Sequence, residues 1–155
     1  MSNLEKIPVT ILTGFLGAGK TTLIRNLIIK NKSKRLAVII NEFGDLGVDG
    51  EIVKQCSDAT CPEENILELA NGCICCTVAD DFVPTMQTLL DGKYLPEHIL
   101  IETSGLALPK PLLKAFEWPE IRSKLTVDSV LAVVDAEAVV NGIFAPQMSI
   151  EIENR

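Results

Sequence analysis

Ile7-Pro-Val-Thr-Ile-Leu-Thr13, followed by Gly14-Phe-Leu-Gly-Ala-Gly19-Lys20-Thr21-Thr22, is the stretch that decides the fold. The first part is apolar and rich in β-branched residues, which predicts a strand. The second fits GxxxxGK[ST], with Lys20–Lys30 reading as a helix behind it. On that helix Ile24, Leu27 and Ile28 fall on one face, with Leu23 beside them. A strand before the glycines and a helix after them is the setting in which this motif binds phosphate. Gly14, Gly17 and Gly19 let the chain come close to an anion. The backbone N–H groups from Gly14 through Ala18 to Thr21 are expected to form a concave anion site, reinforced by the positive end of the helix. Lys20 is expected to reach the β- and γ-phosphates, the Thr21 hydroxyl to ligate Mg2+, and Thr22 to contact the α-phosphate side. The ligand implied is a purine nucleoside triphosphate with magnesium.

Outward from this stretch, strands alternate with helices. Arg35–Asn41 is nearly continuous hydrophobe, as in a strand covered on both faces. Asn65–Leu69, His98–Ile101 ending at Glu102, and Thr126–Val134 read as further strands. Ala79–Leu90 reads as a helix that either starts near Pro84 or kinks there. Pro109–Phe116 reads as a short helix with proline in its first turn, and Ala136–Val140 as the start of another. The alternation predicts an α/β fold of the P-loop NTPase type, a mostly parallel sheet flanked by helices. The C-terminal Met148–Arg155 carries no stop signal, so the sheet is expected to be incomplete there.

The 155 residues suit one domain, and 47% hydrophobic with 23% charged is an ordinary globular composition. A net charge of -7 argues against nucleic acid and anionic membranes as partners, since both repel an acidic surface. Lys30, Lys32, Lys34 and Arg35 form a small basic cluster that reads as a solvated helix end. The polar N-terminus MSNLEK shows no signal peptide, and no run reaches the roughly 18 apolar residues of a spanning helix. A cytoplasmic location is expected. Five cysteines in a reducing compartment read as thiols or metal ligands.

A phosphate site of this kind needs an acid near magnesium at the end of a strand. Glu102, closing the apolar run of Ile99–Gly105, fits, with Gly105 placed to offer an N–H to the γ-phosphate. Asp135 is the weaker candidate. Glu42, with Asp45 and Asp49, lies in the loop after the second strand, where a switch sensing the γ-phosphate belongs. Cys73-Ile74-Cys75-Cys76 places three soft thiolate donors in four residues, a donor set that selects zinc, cobalt, copper(I) or iron–sulfur centres. Cys56 and Cys61 have no diagnostic spacing and read as incidental, and His98, the sole histidine, reads as structural.

Gly14–Thr22 (GFLGAGKTT), Asn41–Gly44 (NEFG), Gly72–Cys76 (GCICC), Glu102–Ala107 (ETSGLA) and Val133–Ala136 (VVDA), in this order, resemble the CobW family of P-loop GTPases, relatives of the nickel chaperones for urease and hydrogenase. Thr77–Phe82 (TVADDF) and Leu106–Phe116 with Trp118–Ile121 are most similar to its cobalamin-biosynthesis branch. The resemblance implies a GTP-hydrolysing metallochaperone in which Cys73, Cys75 and Cys76 ligate Co2+ or Zn2+. It implies Lys20 and Thr21 for phosphate and Mg2+, Glu102 for Mg2+ or its water, and delivery of cobalt to a cobaltochelatase. No Asn/Thr-Lys-x-Asp element occurs, so guanine is implied by the resemblance alone. Residues 1–155 are expected to form the N-terminal part of such a GTPase domain, without the guanine element and the C-terminal domain. A zinc chaperone is the close alternative; a non-catalytic nucleotide- and metal-binding module and an ATP-dependent kinase or ligase are more distant ones.

Overall fold

Side chains alternate across a strand, so a run apolar at every position must be covered on both faces. A computed structural model, which describes residues 6–31, 33–41, 53–57, 59–69, 82–103 and 110–142, shows how the runs are covered. Five strands, β1 (Ile7–Thr13), β2 (Leu36–Asn41), β3 (Ile66–Leu69), β4 (His98–Glu102) and β5 (Leu125–Ala132), form one sheet in the order β3-β2-β4-β1-β5. Every pairing is parallel. The helices are α1 (Lys20–Lys30), α2 (Val83–Leu90), α3 (Lys110–Ala115), α4 (Pro119–Arg122) and α5 (Ala136–Val140), with a 3-10 turn over Glu63–Asn65.

Both faces of the sheet carry helices. On one, Ile24 and Ile28 of α1 pack with Leu12, Leu36, Val38, Ile40 and Leu100. On the other, Met86 and Leu89 of α2, Leu112 and Ala115 of α3 and Ile121 of α4 pack with Val9, Ile11, Ile39, Ile99 and Ile101. β2, between β3 and β4, is buried at every position. This is the layered α/β architecture that the alternation of strands and helices predicts.

Several details depart from the sequence reading. Leu27 is 38% exposed, because the buried stripe of α1 is Lys20, Ile24 and Ile28, spaced four residues apart. That stripe carries Lys20 to the sheet's edge. Asn65 belongs to the 3-10 turn, not to β3. Pro84 sits in the first turn of α2, where proline is tolerated; residues 79–81 of the expected helix lie outside the described residues. α4 escaped the sequence reading; at four residues it is too short to show a period.

β1 and β4 lie side by side, yet their chains leave in opposite directions, β1 toward β2 and β4 toward β5. In open α/β sheets a ligand crevice forms where such connections diverge, beyond the carboxyl ends of the strands. The loop after β1 and the residue closing β4 both lie there.

Candidate nucleotide-binding site

The turn from β1 into α1 is dictated by its glycines. Gly14 has φ 139° and Gly19 φ 98°, conformations that residues with a Cβ rarely adopt. A Cβ on Gly14 also lands against the carbonyl oxygen of Val133, just after β5. β5 therefore closes against the first residue of the loop, and only glycine leaves room.

α1 starts at Gly19 with no side-chain cap and no acidic residue in its first turn. The first N–H groups of a helix have no partner within the helix, and most helices supply a Ser, Thr, Asp or Asn to satisfy them. Here they open onto the loop, an arrangement suited to an anion. Lys20 is 5% exposed, and its Nζ donates to the carbonyls of Gly14 at 2.9 Å and Phe15 at 3.1 Å. The ammonium is thus held over the bend, at the point where the helix N-terminus also directs its positive end.

Glu102, the last residue of β4 and 6% exposed, lies beside this helix. The Thr21 hydroxyl donates to its carboxylate, 3.2 Å from Oε1 and 3.3 Å from Oε2. The strand register accounts for the contact: Leu12 pairs with Glu102, so the carboxylate emerges level with the start of the loop. A hydroxyl and a carboxylate oxygen are the hard donors that Mg2+ takes, with one or two protein ligands and the rest from phosphate and water. The pair fits that ion. Asp135, the weaker candidate, is spent elsewhere: its Oδ1 accepts from the N–H groups of Glu137 at 2.9 Å and Ala138 at 3.2 Å, capping α5.

Of the other residues singled out, Gly17 and Ala18 lie in the loop, where Ala18 N–H donates to the Phe15 carbonyl at 3.1 Å. Thr22 is exposed in the first turn of α1. Glu42, Asp45, Asp49, Cys73, Cys75, Cys76 and Gly105 lie outside the described residues. His98 is tied into the sheet: its Nε2 lies 2.9 Å from Thr10 Oγ1, which in turn lies 3.0 Å from Ser129 Oγ. Burial holds this imidazole below its ordinary pKa; the charge of Asp128 opposes that shift and the charge of Lys34 adds to it. Cys61 is buried and Cys56 partly so, both packed on the α1 face. Sequence reasoning missed Thr103 and Val133 as contacts of β1, although both stand in stretches it quoted.

Residues 8–154 match the family model of the CobW/HypB/UreG nucleotide-binding domain. The chain belongs to this family. It is 62% identical over 144 residues to the zinc chaperone CobW of a Sinorhizobium species, a match covering 93% of this chain and 41% of the relative. It therefore spans about two fifths of that relative's length. Among solved structures it resembles the Zn(II)-bound YjiA GTPase of E. coli, with a TM-score of 0.60 and 29% identity, covering 88% of this chain and 43% of the other. A Zn(II)-bound triple mutant of YjiA, with alanine replacing one glutamate and two consecutive cysteines, matches with the same values. No described helix of the CobW-family chain is long and apolar enough to cross a membrane.

Proposed function

We propose that this chain is the nucleotide-binding part of a GTP-hydrolysing metallochaperone, in which nucleotide state sets the affinity of the Cys73, Cys75 and Cys76 thiolates for a divalent metal. The observation that carries the nucleotide half is the Thr21–Glu102 contact beside the uncapped start of α1. The backbone N–H groups of the loop and first helical turn hold the phosphates, and Lys20 exchanges its carbonyl partners for the β- and γ-phosphate oxygens. Thr21 and Glu102 hold Mg2+, which supplies neutralisation of the charge that develops on the phosphate oxygens. The name GTPase carried by YjiA and the family match support guanine over adenine.

The metal half rests on the cysteines. Three thiolates within four residues suit a soft or borderline ion. Zinc is the first choice, supported by the name zinc chaperone given to the Sinorhizobium relative and by the Zn(II)-bound YjiA structures. Zinc also outcompetes cobalt at most sites of mixed donors. Glu42, in the loop after β2, is the γ-phosphate-sensing residue in this reading. Cobalt, destined for a cobaltochelatase, is the second reading, favoured by the likeness of TVADDF at 77–82 to the cobalamin-biosynthesis branch.

A competition titration with a chromophoric chelator, run in Mg-GTP and in Mg-GDP, tests the coupling. Zn2+ is expected to bind more tightly with GTP, and the difference to vanish in Cys75→Ser. Equal affinities in the two nucleotides sink the proposal. Running Co2+ in parallel ranks the two metals.

A further inference from the structure

Four consecutive carbonyls lead into the phosphate loop, and every one of them is tied. Thr13 O accepts from Val133 N–H at 2.8 Å, while Gly14 O and Phe15 O accept from Lys20 Nζ. Leu12 O accepts twice from a single residue, from Thr103 N–H at 2.9 Å and from Thr103 Oγ1–H at 3.1 Å. The N–H bond simply continues the parallel ladder one step past the Leu12–Glu102 pair. The hydroxyl bond is not required by the ladder. It is made by a fully buried side chain directly C-terminal to Glu102.

Strand ends fray, since the last ladder position has neighbours on one side only. Glu102 is the final residue of β4, so any slackening there moves its carboxylate relative to Thr21. A second bond to the same carbonyl, made in a dry interior where hydrogen bonds are stronger, opposes that slackening. Lys20 and the α1 N-terminus are reached from β1 and do not depend on this bond. We infer that the Thr103 hydroxyl is a positioning group that keeps Glu102 in register with Thr21, and so governs how the site takes Mg2+ and not how it grips nucleotide. The inference rests on the nucleotide and magnesium reading above.

The test is binding of a fluorescent GTP analogue to the wild type and to Thr103→Val, in EDTA and across an Mg2+ titration. Loss of one buried hydrogen bond is expected to raise the half-saturating Mg2+ about tenfold in Thr103→Val, with affinity in EDTA changed less than about twofold. Thr103→Ser, which keeps the hydroxyl, is expected to restore the wild-type Mg2+ requirement. Should Thr103→Val fail to fold, the pair Thr103→Ala and Thr103→Ser, differing only by the hydroxyl, reads the same quantity. An unchanged Mg2+ requirement overturns the inference, as does an equal loss of affinity with and without the ion, which marks a general collapse of the loop. A wild type that binds no better than Lys20→Ala overturns the nucleotide reading itself, a different outcome from either.

Discussion

β2 and β5 belong to one parallel sheet but differ in sequence and in burial: β2 reads LAVIIN, whereas in β5 Thr126, Asp128 and Ser129 interrupt the apolar residues. β2 has strands on both sides and helices on both faces, and every side chain in it is buried. Among the described residues β5 pairs with β1 alone, and Leu131 in it stays 45% exposed and Val134, just beyond it, 61%. α5, which follows, buries none of its residues. An apolar run states that a strand can be covered; the packing around it decides whether it is. The β5 side meets the phosphate loop at one point, where the Val133 carbonyl abuts Gly14 and Val133 N–H holds Thr13 O at the end of β1. β1, which leads into the phosphate loop, thus has the largely buried β4 on one side and the more open β5 on the other.

The contrast breaks most sharply under truncation. Ile39→Ala removes a fully buried side chain from β2 and is expected to cost about 2–5 kcal/mol. Leu131→Ala on β5 is expected to cost less than about 1 kcal/mol, because much of the side chain is already in water. Paired urea denaturations measure both, and similar losses would show that β5 is covered in solution. Next in size is Gly14→Ala, where the new methyl meets the Val133 carbonyl at a positive φ. Strain of this kind costs of order 1–3 kcal/mol. It falls on the loop, so the Kd for a fluorescent GTP analogue is expected to rise about tenfold or more. Wild-type affinity in Gly14→Ala would mean the β5 side yields freely.

A smaller effect separates the two acids that the sequence offered. Asp135→Ala removes the cap of α5 and is expected to cost about 0.5–2 kcal/mol, read as a lower melting temperature, with the Mg2+ requirement for nucleotide binding unchanged. Glu102→Gln is expected to do the reverse. Sequence alone ranked Glu102 first because it closes an apolar run before Thr-Ser-Gly, but it could not show Asp135 engaged as a cap, since capping depends on where a helix begins. The same division runs through the molecule. The phosphate loop, α1 and the central strands were legible because glycine spacing and apolar runs are local signals. Strand order, the Thr103 bonds and the Val133 brace were not, because each joins residues far apart in the chain through register. Leu27 was misread for a related reason: three apolar positions fit the helical period, and only the sheet's position selects the two that face it.

The smallest expected effect lies at the other end of β1 and depends on pH. His98 is the sole histidine, and it meets Thr10 at the start of β4, with Ser129 of β5 completing the row. Burial is the main cause of its lowered pKa, so the fold prefers the neutral ring. The unfolded chain, with a value near 6.5, takes up the proton first as pH falls. The contribution is therefore fully present above about pH 6.5, shrinks as pH drops through it, and levels off below the folded-state value. Solvent reaches part of the ring and Asp128 opposes the shift, which keeps the effect modest. Urea midpoints at pH 7.5 and 5.5 are expected to fall further in the wild type than in His98→Gln, which keeps a hydrogen-bonding side chain but cannot titrate. The carboxylates are common to both proteins and cancel in the difference. If the two lose stability equally, the Thr10–His98–Ser129 row accepts the charged ring without penalty, and the open β5 side is wet enough to solvate it.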